Sequence, residues 1–288
     1  MKVALVGATG MTGRRALAAL LRRGHSVIAV GRNPDRLAAL DTRAERRIGD
    51  FDRPETLPAA LAGADVVAYA AHAKDTKVVL DAMAPGVPLV VTGSMRVFTK
   101  LADPAADAVR AALDTFAASG RPGLVLLPAM IYGAPEDRNV GRILRLLSRF
   151  PRFVPVPVPL PDGGRHTVQP VHVDDLAECI AAAIDRTSIG ADPVVIAGPE
   201  PIAYARMVRE CATALGRRVW IVPVPVGLLA AATRLMGAVG LRLPFDAAEL
   251  RRATEDKSFD VSAMRTLLGV APRPFAQGVA EKVAARAF

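Results

Sequence analysis

The chain has few of the residues that stabilise small secreted domains or hold metals. Two of its 288 residues are cysteines, Cys179 and Cys211, and their spacing matches neither a metal-ligand nor a redox motif. We therefore expect no disulfide framework, no thiol redox centre and no metal site. This cysteine usage favours a protein of the reducing cytoplasm.

Aromatic residues are also scarce, at 5% of the chain, although 37 lysines and arginines against 28 aspartates and glutamates give a net charge of +9. The charge alone would suit nucleic-acid binding. Stacking platforms are few and no recognition motif is present, so no nucleic-acid partner is expected. An anionic cofactor or substrate is the simpler use of the charge, and most arginines are expected to form solvated faces.

No uninterrupted apolar run is long enough to predict a transmembrane span. The most apolar stretch, residues 219–243, is broken by Pro223, Pro225 and Arg234, which favours a buried or interfacial helix. The apolar run at the N-terminus ends at Gly7 and has no signal-peptide pattern, so we expect cytoplasmic localisation. Low-complexity linkers and internal repeats are also absent from the sequence.

The most informative stretch is the N-terminal one. Residues 2–6 are typical of a short apolar strand, and residues 11–21 show helical spacing. Between them, Gly7, Gly10 and Gly13 are spaced as G-x-x-G-x-x-G, with Thr9, Met11 and Thr12 in the same turn. A strand that turns through glycines into a helix presents backbone N–H groups to a pyrophosphate.

Strand and helix patterns alternate through the first half of the chain. Strands are predicted at residues 2–6, 25–30, 46–49, 64–70, 87–92 and 123–127. This alternation predicts an α/β fold, a doubly wound parallel sheet of the Rossmann type.

Beyond Pro128 the alternation loosens. Residues 154–161 alternate proline with valine or leucine, which predicts an extended segment outside a central sheet. Helices are predicted at residues 140–149, 174–184, 204–215, 226–236, 247–254, 261–268 and 275–285. We expect a Rossmann domain at residues 1–135 and a smaller α/β cap at 136–288, with some of its strands returning to the sheet.

The residues that end each predicted strand are candidates for the ligand site, because the carboxyl ends of parallel strands face the ligand crevice. After the second strand stands Arg32, where NAD-binding folds usually carry an acidic residue. Its guanidinium would pair with a 2′-phosphate, so NADP is favoured over NAD. After the third strand, Asp50 could bond the adenine amino group with Phe51 beside the ring; capping of the next helix by Asp52 is the alternative.

Later strand ends extend the cofactor site. The small residues Ala70 and Ala71 would admit the cofactor, and His72 follows them. Thr92 and Gly93 precede Ser94, which is placed to bond a substrate oxygen. The sixth strand leads into Pro128 and Tyr132. Polar loops with Arg138, Asn139 and His166 are candidates for substrate contact, with helix capping by Asp137 or Asn139 and an ordinary turn as the alternative.

The chain resembles the short-chain dehydrogenase/reductase superfamily in its extended or atypical branch of NAD(P)-dependent epimerase/dehydratase-like proteins. The similarity runs in order through almost the whole chain. It includes the glycine turn and the stretches at residues 128–133, 169–177, 197–200, 255–260 and 272–275. The resemblance implies NADP or NAD as cofactor and a small-molecule, including an anionic, hydroxyl or carbonyl substrate. A homodimer is the one assembly that we consider.

The resemblance also implies a catalytic Tyr-x-x-x-Lys pair on the helix after the fifth strand. Alignment places Ala105 and Val109 there, and none of the three tyrosines has a lysine four residues later. An oxidoreductase or epimerase-like enzyme would need another proton donor among Tyr132, Lys100, His72 and His166, assisted by Ser94. A non-catalytic NAD(P)-binding redox sensor or accessory protein is the first alternative, and non-redox chemistry with a structural nucleotide is the second.

Overall fold

A computed structural model describes residues 1–71, 73–187, 192–229, 231, 254–286 and 288. The chain forms two compact units. The first comprises Met1–Ala129, Val173–Ile196 and Asp260–Ala271, and the second comprises Met130–His172, Ala197–Phe259 and Pro272–Phe288. The extents of the two expected domains stay a prediction.

The first unit is built on a seven-stranded parallel sheet, which confirms the predicted doubly wound Rossmann fold. Numbered along the chain, its strands are β1 Lys2–Val6, β2 Ser26–Gly31, β3 Glu45–Ile48, β4 Val66–Tyr69, β5 Leu89–Thr92, β6 Gly123–Pro128 and β11 Val194–Ile196. Their order in the sheet is β3-β2-β1-β4-β5-β6-β11. The order reverses between β1 and β4, the kind of position at which such sheets bind ligands.

Helices and a buried sheet form the core of this unit. The helices are α1 Met11–Arg22, α2 Pro34–Ala38, α3 Leu57–Leu61, α4 Thr76–Ala82, α5 Pro104–Ala118, α7 Val173–Ile184 and α9 Ser262–Leu268. Every residue of β4, β5 and β6 is buried, as expected for parallel strands covered on both faces. Asn33 caps α2 by accepting the Arg36 N–H at 2.9 Å, as Asn-Pro at a helix start predicts.

Within its described residues, the second unit contains three pairs of strands, three complete helices and a short helical stretch at 226–229. The strands are β7 Ile131–Tyr132, β8 Val156–Pro161, β9 Thr167–Val168, β10 Val171–His172, β12 Ile202–Ala203 and β13 Val219–Val224; the helices are α6 Val140–Ser148, α8 Tyr204–Ala214 and α10 Phe275–Ala284. β7 pairs with β10, β9 with β12, and β8 with β13. The proline-rich β8 thus lies in a two-stranded pair, as its composition predicts.

The helices expected in the C-terminal half are in part wrong and in part outside the described residues. Residues 219–224 are a strand, so the helix expected in the apolar stretch 219–243 is wrong for its first six residues. β-Branched residues and Trp220 favour the extended form there. Of the helix expected at 226–236, residues 226–229 and 231 are described and are helical. The rest of that helix, the helix expected at 247–254 except Thr254, and His72 lie outside the described residues. Among the described residues, no helix is both long and apolar enough to cross a membrane.

Candidate functional site

The glycine turn joins β1 to α1 and requires glycine at its two ends. Gly7 has a φ of +85°, in the left-handed region, and its N–H donates to Val30 O at 3.1 Å. A Cβ on Gly13 would lie 2.0 Å from the carbonyl oxygen of Gly7. The first turn of α1 therefore packs directly on the backbone of the glycine turn.

Small residues after β4 complete this site. A Cβ on Gly7 would lie 3.1 Å from Cβ of Ala71 and 3.3 Å from the carbonyl carbon of Ala70. Helix geometry leaves the first N–H groups of α1 without partners inside the helix, and no acidic residue stands in its first turn. The turn and helix start, which include Met11 and Thr12, can therefore hold an anion such as a pyrophosphate.

Arg32 follows the end of β2 and is exposed beside this turn. Its side chain is 76% exposed, and its nearest carboxylate oxygen, on Asp52, is 4.0 Å away. Thr9 reaches the same strand end, because its Cγ2 lies 3.4 Å from where a Cβ on Gly31 would stand. The guanidinium is held only weakly by this exposed pair, which leaves it able to bind an anionic group.

Asp50 has a structural task in addition to the predicted contact with adenine. Its Oδ1 accepts the Asp52 N–H at 3.2 Å, and its Oδ2 lies 3.5 Å from Nε of Arg53. Phe51 packs against Tyr69 with ring centroids 5.8 Å apart. Asp52 does not cap the next helix, because Arg53 occupies the N-cap position of the turn Pro54–Thr56.

Ser94 stands directly beyond β5, where it opens a 3₁₀ turn at Met95–Phe98. Its half-buried hydroxyl accepts the Arg96 N–H at 3.3 Å. The preceding Gly93 donates its N–H to Leu126 O at 2.8 Å. This bond fixes the end of β5, with Thr92, against β6, which ends at Pro128.

Val109 packs behind this strand end. Its Cγ1 lies 3.6 Å from the position that a Cβ on Gly93 would take, and Cδ2 of Leu127 lies 2.8 Å from it. Ala105 is exposed in the first turn of α5. Neither side chain can exchange a proton, so Ser94 is the polar candidate at this strand end.

Tyr132 lies in the core of the second unit. Its side chain is fully buried, with ring centroids 4.9 Å from Phe275 and 5.2 Å from His172. A Cβ on Gly278 in α10 would stand 2.2 Å from the Tyr132 hydroxyl oxygen. This packing against α10 gives Tyr132 a structural role, and its catalytic role stays a prediction.

The loop before α6 shows why an acidic residue stands at position 137. Asp137 accepts the N–H groups of Asn139 at 2.7 Å and Gly141 at 2.9 Å, which is the capping alternative. Both Asp137 and Lys282 have fully buried side chains, and Nζ of Lys282 lies 3.9 Å from Oδ2 of Asp137. Lys282 also donates to Ala134 O. Substrate contact by Arg138 and Asn139 stays a prediction; both are exposed.

His166 lies between two carboxylates in the second unit. Nε2 is 3.5 Å from Asp162 and Nδ1 is 3.6 Å from Asp256, and the imidazole is 16% exposed. Asp256 accepts bonds from the N–H and hydroxyl of Thr167 at 2.9 and 3.2 Å. The pKa of Asp256 lies below its usual value, chiefly because the carboxylate accepts the backbone N–H of Thr167.

The sequence interpretation missed Asp256 and Gln169 as single residues, although both fall in stretches that carry the resemblance. Buried Gln169 donates to Gly198 O at 2.8 Å and to Phe259 O at 3.1 Å, and it accepts the Phe259 N–H at 2.8 Å. These bonds join three of the similar stretches. In the sequence, the one available signal for a buried polar contact is that Gln169 stands in a mostly apolar stretch. Its partners lie on distant segments, so they can be identified in the structure and not in the sequence.

The candidate residues thus fall into two groups. The first unit holds the glycine turn, Arg32, Asp50, Phe51, Ala70, Ala71, Thr92, Gly93, Ser94 and Pro128. The second unit holds Tyr132, Arg138, Asn139 and His166. The group in the first unit collects around the carboxyl ends of neighbouring strands, where a dinucleotide is bound in folds of this type.

Comparison with known proteins agrees with this arrangement. Residues 7–143 match the family model described as NAD(P)H-binding. An uncharacterized protein of Mycobacterium tuberculosis is 31% identical over 243 residues, which cover 79% of this chain and 24% of that protein. A 3-diazoavenalumate denitrifying reductase of a Streptomyces species is 29% identical over 280 residues, covering 82% of this chain and 88% of the reductase. The chain spans about a quarter of the length of the mycobacterial relatives it matches.

Solved structures share the fold. An NADPH-dependent quinone oxidoreductase of Escherichia coli, complexed with NADPH, has a TM-score of 0.72 at 20% identity, covering 96% of this chain and 98% of the other. A UDP-N-acetylglucosamine 4-epimerase of Bacillus cereus has a TM-score of 0.73 at 15% identity, covering 99% of both chains.

Fold and strand-edge site together define an NAD(P)-binding Rossmann protein. The chain carries a domain that matches the NAD(P)H-binding family model at residues 7–143. It shares the Rossmann fold of NAD(P)-dependent reductases and epimerases, in agreement with the resemblance seen in the sequence.

Proposed function

We propose that the protein is an NADPH-dependent reductase that acts on a carbonyl or related electrophilic small molecule. The observation that carries the proposal is Arg32, which stands exposed beside the glycine turn without an acidic residue at the end of β2. An arginine there recognises the 2′-phosphate of NADPH by charge and by its planar set of donors. The similarity to a Streptomyces reductase, which runs through 82% of this chain and 88% of the reductase, supports reduction.

The residues of the first unit have distinct roles in this proposal. The glycine turn and the first turn of α1 hold the pyrophosphate, and Ala70 and Ala71 leave room for it. NADPH supplies a hydride when bound. Ser94 donates its hydroxyl hydrogen to the substrate oxygen or nitrogen that gains negative charge as hydride arrives. Because Ser94 accepts the Arg96 N–H, its hydrogen is left to point toward a ligand.

The proton that completes the reduction needs a separate donor, because a serine hydroxyl is too weak an acid to be that donor at neutral pH. Where the family resemblance places a tyrosine and a lysine, this chain has Ala105 and Val109. Solvent, His72 or Lys100 would then deliver the proton. This arrangement suits substrates that are reduced with little help from a general acid, such as quinones and other electron-poor compounds.

The same two residues support one alternative function. A protein that binds NADPH but lacks the proton-transfer pair would act as a redox sensor or accessory protein. Ala105 is exposed at the start of α5, and Val109 packs against the end of β5, so the substitution removes catalytic groups without disturbing the fold.

Titration and turnover together test the proposal. Binding of NADPH and NADH is followed by nicotinamide fluorescence in the wild type, in Arg32→Asp and in a control, Arg186→Asp, at an exposed arginine beyond α7. We expect Arg32→Asp to weaken NADPH binding by about 10- to 100-fold, the value of a charged hydrogen bond, and the control to bind normally. Equal affinities of wild type and Arg32→Asp would remove Arg32 from the site.

Turnover separates the two functions. A panel of quinones, aldehydes, ketones and diazo compounds is tested for NADPH oxidation at the nicotinamide absorbance band. Oxidation that Ser94→Ala slows supports the reductase. Tight NADPH binding without oxidation across the panel would favour the sensor.

A further inference from the structure

We propose that the second unit binds the surface of an anionic phospholipid membrane through an exposed patch of aromatic and arginine side chains, which we call the Trp220 surface. It is formed by the last turn of α6, the segment that follows it, and the residues at the start of β13. Its residues are Leu146, Arg149, Phe150, Arg152, Phe153, Val154, Arg218 and Trp220, all exposed. Nothing in the proposed reduction uses these residues.

Hydrogen bonds hold the two segments of the Trp220 surface side by side. Arg217 donates through its guanidinium to Ser148 O at 3.0 Å and to Phe150 O. Val156 donates its N–H to Arg218 O at 3.0 Å, and Trp220 stands opposite Pro157 in the β8–β13 pair. These bonds fix the backbone of the two segments that carry the exposed side chains.

The β8–β13 pair is apolar on both faces. Val158, Val219 and Ile221 point inward and pack against the buried cluster of Leu160, Ala205 and Val208. The opposite face presents Trp220 and Pro157 to solvent. A strand pair with one solvated face normally carries polar residues on that face. An apolar outer face is instead typical of a surface that binds an apolar partner.

The two most exposed aromatic residues of the Trp220 surface also indicate an apolar partner. Phe153 is 88% exposed and Trp220 is 68% exposed. Leu146 and Val154, in the same segments, are exposed as well, at 39% and 40%. Exposed apolar surface of this kind is typical of interaction sites.

Charge identifies the partner. Residues 138–161 contain five arginines and residues 211–229 contain two, and neither stretch contains an aspartate or glutamate. In the described part of the chain, Arg149, Arg152 and Arg218 form no ion pair with a carboxylate. These charges favour an anionic partner.

An anionic bilayer fits both properties. Tryptophan and phenylalanine enter the interfacial layer, arginine stems lie along it, and each basic side chain near the surface strengthens binding about fivefold. A single-stranded nucleic acid would use the aromatic rings and arginines, but it would leave Leu146, Val154 and the proline-rich strand without a matching apolar contact.

Trp220 is the chain's single tryptophan, so it reports directly on this surface in the unmodified protein. The full chain is mixed with vesicles of phosphatidylcholine, with or without phosphatidylglycerol. With the anionic vesicles we expect co-flotation, a blue shift of tryptophan emission and quenching by brominated lipid. Pure phosphatidylcholine should give much weaker binding, and raised salt should weaken binding to the anionic vesicles.

Variants assign the binding to the Trp220 surface by flotation. Arg149→Gln/Arg152→Gln should bind about 25-fold more weakly, at about fivefold per arginine, and Phe153→Ser about tenfold more weakly. The matched control Arg186→Gln/Arg265→Gln removes two exposed arginines of the first unit and should bind as the wild type does. All variants should keep the wild-type melting temperature, because the changed side chains are exposed.

Several results would overturn the proposal. One is the absence of flotation with anionic vesicles. Another is an equal loss of vesicle binding in the control Arg186→Gln/Arg265→Gln and in Arg149→Gln/Arg152→Gln. A blue shift without vesicles that grows with protein concentration would instead assign the surface to contact between copies of the chain. Tight single-stranded DNA binding that the same arginine variants abolish, without vesicle binding, would assign it to nucleic acid.

Discussion

The packing of α1 on the glycine turn makes Gly13→Ala the sharpest test of the cofactor site. A Cβ at this position would lie 2.0 Å from Gly7 O, 2.8 Å from its carbonyl carbon and 2.9 Å from Cα of Ala8. All three are backbone atoms, which cannot turn aside as a side chain does. Relief to an ordinary contact needs a shift of about 1 Å or more between α1 and β1.

Such a shift affects both stability and binding. Overpacking of this kind costs about 1–3 kcal/mol or more, and the better helix propensity of alanine offsets about 1 kcal/mol of it. We expect a net loss of about 2 kcal/mol, or a melting temperature lower by about 4–8 °C. The displaced N–H groups of α1 should also bind NADPH at least tenfold more weakly.

Gly141→Ala is the matched control, because Gly141 also lies in the first turn of a helix, α6. Its Cβ would meet first the end of the flexible Arg145 side chain, at 3.2 Å. This variant should be as stable as the wild type or more stable by up to about 1 kcal/mol. Both variants are compared by thermal melting with and without NADPH. A Gly13→Ala protein that melts and binds NADPH like the wild type would refute the assignment of the glycine turn.

Further predictions concern single side chains. Ser94→Ala should lower kcat for NADPH oxidation about 10²-fold or more, measured at saturating NADPH, while NADPH affinity stays unchanged. Lys282→Met should lower the free energy of unfolding by about 3–5 kcal/mol because it leaves Asp137 buried without its cation; addition of Asp137→Asn should recover part of the loss in a denaturant titration. The bonds from Thr167 lower the pKa of Asp256 in the folded state, so Asp256 stabilises the fold above its unfolded pKa of about 3.9 and loses that effect as pH falls further. When the pH falls below about 4, the melting temperature of Asp256→Asn should therefore drop less than that of the wild type.

The sequence predicts the first unit well because its signals are local. The glycine spacing, the Asn33–Pro34 helix start and the alternating strands each act over a few residues. Local patterns of this kind also bring strand ends to one edge, so the sequence alone is enough to assign Arg32 and Ser94 to that edge.

The second unit is predicted less well because its contacts join distant segments. His166 meets Asp256 across about 90 residues, and Gln169 meets Phe259 over the same distance. β13 shows the second difficulty: an apolar run such as residues 219–224 fits a buried helix or a strand equally, and only its pairing with β8 decides. Tyr132 shows a third difficulty: nothing in the sequence motif around this tyrosine indicates that its side chain is completely buried.

The resemblance implies a tyrosine and a lysine where this chain has Ala105 and Val109, and this difference has a consequence for the proposed reduction. Neither Ala105 nor Val109 belongs to the glycine turn or the first turn of α1, which would hold the pyrophosphate. For an ordinary ketone, a proton donor lowers the barrier to hydride transfer because the developing alkoxide needs a proton, and neither Ala105 nor Val109 can supply one. A substrate that spreads the new charge over its own conjugated system needs that proton less. The quinone and diazo compounds of the turnover panel should therefore be reduced before simple ketones, and the reverse order would imply an acid supplied from elsewhere in the chain.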